Sequence, residues 1–148
     1  MNNKPGYSSL RKGRVSIPNQ IYHLTASTLN RVNYFSNFEL AQFLSKKLYR
    51  TEQQTLAFVV MPDHFHWLVQ IDDNVAQLGD LIKSLKVSTI RFSNNENIEL
   101  SWQKGFYDRA IRKEEDLEDV ARYIVMNPVR AGIVKSVRTY PFWNAVWL

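Results

Sequence analysis

Between positions 55 and 71 the chain reads TLAFVVMPDHFHWLVQI, two apolar runs rich in β-branched residues, interrupted at Pro62-Asp63. Runs of this kind on either side of a turn dipeptide predict a hairpin of two strands. Strand side chains alternate with a period of two, so His64 and His66 point from one face while Phe65 and Trp67 point from the other. Upstream, the stretch from Asn19 to Asn30 sets Ile21, His23 and Thr25 against Tyr22, Leu24 and Ala26 and predicts a first strand. Ser36 and Glu39 form a capping box before a helix whose apolar stripe is Leu40, Phe43, Leu44 and Leu48. After the hairpin, Asp72 to Asn74 can cap a long helix in which Val75, Leu78, Leu81, Ile82, Leu85, Thr89 and Phe92 recur at three- and four-residue spacing, ending near Ser93-Asn94-Asn95. WQKGFYDRAI predicts a short aromatic strand. KEEDLEDVARYIVMN predicts a third helix, opened by acidic residues that suit its N-terminal dipole and closed by Pro128 and Gly132.

The predicted order is strand, helix, hairpin, helix, strand, helix. It describes an α+β fold, a ferredoxin-like sandwich with an antiparallel sheet and helices packed mainly on one face. A length of 148 residues, 45% of them hydrophobic, suits one domain over 1–148 with a basic arm at 1–18. No run of about 18 apolar residues occurs, and the first residues lack an apolar signal core, so neither a membrane span nor secretion is expected. The absence of cysteine excludes disulfides, cysteine zinc sites and thiol catalysis. A cytoplasmic, nucleoid-associated location is the expectation. Nineteen basic against fourteen acidic residues, a net charge of +5, tilt the partners toward polyanions.

Two of only three histidines sit one residue apart on a strand, which makes a fork suited to a cation. Spacing alone favours the plainer reading, two hydrogen-bonded histidines on a half-buried strand. On the third helix Leu117, Val120, Ala121, Ile124 and Val125 form the buried stripe, and Tyr123 falls roughly 130° from its centre at 100° per residue. Asn127 follows one turn later, so a phenol and a carboxamide can face one cleft. The plain alternative is an exposed tyrosine beside a helix-ending asparagine. Taken together, the constellation suits phosphodiester cleavage. A divalent cation on His64 and His66, with Asn127 as a candidate third ligand, leaves open positions for phosphate oxygens, and Tyr123 is the candidate nucleophile. Imidazole ligands favour Mn²⁺, cellular abundance favours Mg²⁺, and either is expected.

Nearly the whole chain resembles the REP-associated tyrosine transposases, relatives of single-tyrosine insertion-sequence transposases in the HUH nuclease superfamily. The resemblance runs from GRVSIPNQIYHLT through VVMPDHFHWLV and WQKGFYDRAIRKEEDLEDVARYIVMNPVRAGIV to YPFWNAVWL, with the segment around YIVMNPVRAG the most specific. It implies a metal-dependent endonuclease and strand transferase acting on single-stranded DNA hairpins of the repetitive extragenic palindromic (REP) type. His64 and His66 then take the place of the metal ligands and Tyr123 that of the nucleophile. Asn127 stands where related enzymes put a third polar ligand, although the residue type there varies. The tyrosine is implied to join the 5′-phosphate and free a 3′-hydroxyl. Relatives that exchange tyrosines between subunits are dimers; here the tyrosine helix follows the last strand closely, and a monomer is expected, with a homodimer as the alternative.

DNA-binding candidates are Arg11, Lys12 and Arg14 on the arm and Lys83, Lys86 and Arg91 on the second long helix, each of which can equally be a solvated surface charge. Tyr107 reads mainly as a packing residue, Tyr140 as part of a tail against the core, and His23 as a structural or supporting residue. Asp63 either orients an imidazole or serves the turn. The competing reading of the whole is a non-catalytic protein that binds structured nucleic acid. A hydrolase of small phosphoesters is more remote.

Overall fold

Alternation along three strands decides the architecture. The computed structural model describes residues 20–71, 78–112 and 116–147. Strands β1 (Gln20–Ser27), β2 (Gln54–Met61), β3 (His64–Ile71), β4 (Tyr107–Ala110) and β5 (Trp143–Ala145) form one sheet in the order β4-β1-β3-β2-β5. Every pairing is antiparallel. Leaving out β5, the order 4-1-3-2 and the succession of strands and helices are those of the ferredoxin-like sandwich expected from the sequence.

One face of the sheet is apolar across its central strands, with the buried Asp108 of β4 paired to Leu24 at its edge. Tyr22, Leu24 and Ala26 of β1, Phe58 and Val60 of β2, and Phe65, Trp67, Val69 and Ile71 of β3 are buried there. They meet the inner stripes of α1 (Phe38–Tyr49) and α2 (Leu78–Asn95). Leu40, Leu44 and Leu48 of α1 and Leu78, Ile82 and Leu85 of α2 are the residues at the predicted spacing. Phe43 and Phe92 stack between the two helices with centroids 4.3 Å apart. The indole N–H of Trp67 donates to the Thr55 hydroxyl at 2.9 Å, and that hydroxyl donates to the Leu48 carbonyl at 2.6 Å, so a buried polar atom also ties the end of α1 to the sheet.

The other face carries a smaller apolar layer on the β2 side. Ala57, Val59 and Met61 of β2 and Leu68 of β3 pack against Ala121, Ile124 and Val125 of α3 (Leu117–Val125). Helices therefore lie mainly on one face, with the third alone on the other beside a single turn, α4 (Asn127–Arg130). This second face, toward β1 and β4, is where the polar residues collect.

Three details depart from the sequence reading. The cap of α1 is Asn37, whose side chain accepts from the Leu40 N–H at 3.0 Å, instead of a Ser36–Glu39 box; asparagine is the equally able oxygen one residue nearer the helix. The third helix stops at Val125, before Pro128: the ring has no N–H to continue the ladder, and Pro128 instead sits in the first turn of α4. Gly132 ends that turn at φ 77°. The aromatic tail contributes a fifth strand, β5, which a three-residue element after a proline does not announce. The proposed caps Asp72 to Asn74, with Val75 and the basic arm, lie outside the described residues.

Tyr140 packs in the smaller layer as expected, and its hydroxyl donates to the Val60 carbonyl at 2.5 Å. Burial raises its pKa to about 12. Tyr140→Phe removes this donor and leaves a buried carbonyl one partner short, so chemical denaturation is expected to show a loss of about 1–2 kcal/mol. The matching fall in thermal midpoint is about 2–8 °C.

Candidate functional site

The register of the sheet gives the site its plan. Directly paired residues share a face, and on the polar face they form rows across the strands. One row runs Tyr107, Thr25, His66, Val59; the next runs Arg109, His23, Leu68, Ala57; on the other side Ser27, His64 and Met61 line up. The three histidines are thereby brought to one patch by two neighbouring strands.

His64 and His66 present their rings edge to face, with centroids 5.0 Å apart at 87°. Each is held through its Nδ1. The His64 Nδ1–H donates to Asp63 at 2.7 Å. His66 Nδ1 lies 2.9 Å from His23 Nε2 and 3.0 Å from the Thr25 hydroxyl. Among the described residues neither Nε2 is hydrogen bonded, which leaves both as candidate donor atoms for a cation, backed by the kind of partners that fix a ligating imidazole. With Nδ1 of His66 protonated, the lone pair falls on Nε2, and His23 Nε2 then serves as acceptor.

Electrostatics keep the rings neutral. Burial lowers the His23 pKa to about 4, with the charge of Arg109 adding to the effect. Burial lowers His66 well below the ordinary imidazole value, helped by His23, His64 and Arg130. Burial also lowers His64, against the pull of Asp63. Neutral imidazoles with Nδ1 occupied are of the kind that would hold a divalent cation. Among the described residues no group of three or more histidine, cysteine, aspartate or glutamate side chains could hold a metal ion.

The turn that carries His64 is braced from outside the strand. Burial favours the protonated Asp63, but hydrogen bonds from Arg31 and His64 outweigh it and lower its pKa. Arg31 donates its Nε–H to Asp63 at 2.8 Å, from a backbone held at φ 56°, directly after Asn30 at φ 57°. A left-handed arginine costs on the order of 1–2 kcal/mol and persists where surrounding contacts dictate it. Here the backbone N–H of Thr28 donates to the Asp63 carbonyl and that of Phe35 to the Pro62 carbonyl, both at 2.9 Å. Of the two readings of Asp63, the geometry supports both: it belongs to the turn and accepts from the imidazole.

Tyr123 projects from α3 outside the buried stripe, 58% exposed. It lines a cavity of about 400 Å³ together with His23, Tyr107, Arg109, Asp119 and Val120. The cavity thus reaches from the phenol to His23, one hydrogen bond from His66. Arg130 lies with its guanidinium carbon 3.9 Å from the Tyr123 ring centroid. Its charge also contributes at His66. A cation thus neighbours the phenol and is felt at the fork, an arrangement absent from the sequence reading.

The remaining candidates separate. Asn127 sits in α4 after the helix break, half-buried, and its carboxamide makes no hydrogen bond among the described residues. Lys83, Lys86 and Arg91 lie on α2, which covers the face of the sheet opposite the histidines. Lys86 donates to the carbonyls of Gln103 and Gly105 at 2.9 and 2.8 Å, which pins that loop. Arg11, Lys12 and Arg14 lie outside the described residues.

A ferredoxin-like sheet that sets a His-x-His fork and a helical tyrosine on the same side defines a recognisable class. Residues 16–127 match the family model described as "Transposase IS200 like", and the chain belongs to that family. It is 31% identical over 86 residues to a REP-associated tyrosine transposase of Escherichia coli K12, covering 58% of this chain and 50% of that protein. A Haemophilus influenzae relative is 31% identical over 100 residues, 60% of this chain and 57% of the relative. The chain thus spans about half the length of the curated relatives it matches. Among solved structures, that of a REP-associated tyrosine transposase bound to a REP hairpin superposes with a TM-score of 0.70 at 24% identity, over 88% of this chain and 79% of the other. This last likeness concerns the fold.

Proposed function

We propose that the chain is a metal-dependent single-stranded DNA endonuclease and strand transferase that acts on REP-type hairpins through a covalent 5′-phosphotyrosine. The observation that carries the reading is the shared cavity: the Tyr123 phenol opens onto the same space as His23, whose ring is bonded to His66. Membership of a transposase family and relatives named for REP sequences support the substrate class. The phosphate backbone answers the net charge of +5.

In this reading His64 and His66 hold Mg²⁺ or Mn²⁺ through Nε2, with Asn127 as a candidate further ligand. When bound, the cation polarises the non-bridging oxygens of the scissile phosphate. Asp63 and the His23–Thr25 pair fix the two imidazoles. The Tyr123 oxygen bonds to phosphorus as the bond to the 3′-oxygen breaks, and the phenolic proton passes, directly or through solvent, to the departing 3′-oxygen. A hydroxyl from another strand reverses the step and rejoins DNA, because the phosphotyrosine conserves the ester. Arg130 holds the phenol ring and brings positive charge to the attacked phosphate. We expect action as a monomer, with exchange of α3 in a homodimer as the alternative.

The test is incubation with a 3′-labelled single-stranded REP hairpin and Mg²⁺ or Mn²⁺. A denaturant-resistant protein–DNA adduct that EDTA abolishes is expected. Salt-sensitive binding with no product under either metal would instead establish the non-catalytic reading. In the same assay Arg130→Ala is expected to slow cleavage about 10²-fold while still forming the adduct, the size of effect seen when one preorganised donor is removed.

A further inference from the structure

The cavity beside Tyr123 is larger than an attacking phenol requires. At about 400 Å³ it is at the small end of ligand pockets, which run from about 300 to 1,000 Å³. Such a space fits one compact group. Its walls come from three elements: His23 on β1, Tyr107 and Arg109 on β4, and Asp119, Val120 and Tyr123 on α3.

The register explains why β4 contributes. Tyr107 pairs with Thr25 and Arg109 with His23, so the short edge strand extends the two polar rows beyond β1. Tyr107, at the sheet edge, also touches the apolar layer beneath, which anchors it. The chemistry of the walls is mixed in a particular way. Two phenol rings and Val120 offer flat and apolar surface, Arg109 offers a cation whose charge is felt at His23, and Asp119 offers a carboxylate that already accepts from Arg122 at 2.7 Å. A bare phosphate would leave the rings unused. An aliphatic anion would have no π surface to exploit. A flat heterocycle joined to a phosphate uses all of it.

We infer that this cavity is a subsite for one unpaired nucleotide adjoining the scissile linkage, with its base against the rings of Tyr107 and Tyr123 and its backbone phosphate toward Arg109. The inference rests on the endonuclease reading above and adds to it a protein pocket for a particular base. Because Tyr123 is both a wall and the nucleophile, seating the base also sets the distance between phenol and phosphorus. Recognition of that nucleotide and its cleavage are then one event.

The experiment compares hairpin substrates in which the nucleotide on either side of the cleavage point is made abasic. At one of the two positions, loss of the base is expected to lower kcat/KM about tenfold or more. Tyr107→Ala is expected to cause a similar loss on the intact substrate and little further loss on the abasic one. A second readout needs neither cleavage nor a folded Tyr107 variant: 2-aminopurine placed in turn at each unpaired position flanking the hairpin, bound to Tyr123→Phe, should lose fluorescence through stacking at one of them. Equal rates on intact and abasic substrates at both positions, losses that multiply, or unquenched 2-aminopurine would overturn the subsite and leave the endonuclease reading standing. Absence of cleavage by the unsubstituted chain on any hairpin would overturn that reading itself, and quenching would still report on the pocket.

Discussion

Tyr123→Phe is expected to abolish the covalent adduct and to reduce hairpin cleavage by roughly 10⁴-fold or more, the scale of losing a nucleophile for which nothing substitutes. The substitution removes one oxygen. The ring that Arg130 covers at 3.9 Å stays in place, so the cation–π contact survives. The side chain is exposed and off the stripe that packs on β2, and stability should stay within about 0.5 kcal/mol. Hairpin affinity, measured by gel shift, should change little. Denaturing electrophoresis of 3′-labelled DNA decides the matter, and an adduct at the original level would reassign the nucleophile, with Tyr107 the next phenol on the same cavity.

His64→Ala has the second largest expected effect: metal-dependent cleavage falling by about 10³-fold, which corresponds to several kcal/mol of lost charge stabilisation. Titration calorimetry with Mn²⁺ should show the accompanying loss of affinity. His64 is the cleaner of the two to remove. Truncating His66 would leave the His23 ring and the Thr25 hydroxyl without their partner in a buried patch, a cost of about 1–3 kcal/mol that confounds any rate. Truncating His64 leaves Asp63 still paired with Arg31. Hairpin binding without metal should persist, and cleavage that is indifferent to His64→Ala would remove the fork from the mechanism.

The strands of the hairpin and the stripes of the helices were legible because each has a period that burial enforces, as Phe65, Trp67, Leu44 and Ile82 illustrate. The fork itself was legible for the same reason. What period cannot supply is register between distant strands. Only the pairing of Thr25 with His66 shows that β1 puts Thr25 and His23 beside the fork, and only the docking of α3 on β2 brings Tyr123 to that side. Asn30 and Arg31 at positive φ have no signature in a run that reads as the end of a strand. Lys86 looked like a free cation because its carbonyl partners are 17 and 19 residues away in sequence.

The two-residue turn at Pro62-Asp63 has an evolutionary corollary. Were a single residue inserted between Asp63 and His64 with the turn and pairing kept, parity would invert: imidazoles would be driven among leucines, and an indole would emerge into solvent. A length change of one here has to be taken up by an irregularity in the pairing, such as the one β2 carries between Thr55 and Ala57. The spacing of the fork is thus inherited as a matter of geometry, held by the hydrophobic layer on the reverse of the same strand as firmly as by any demand of the chemistry.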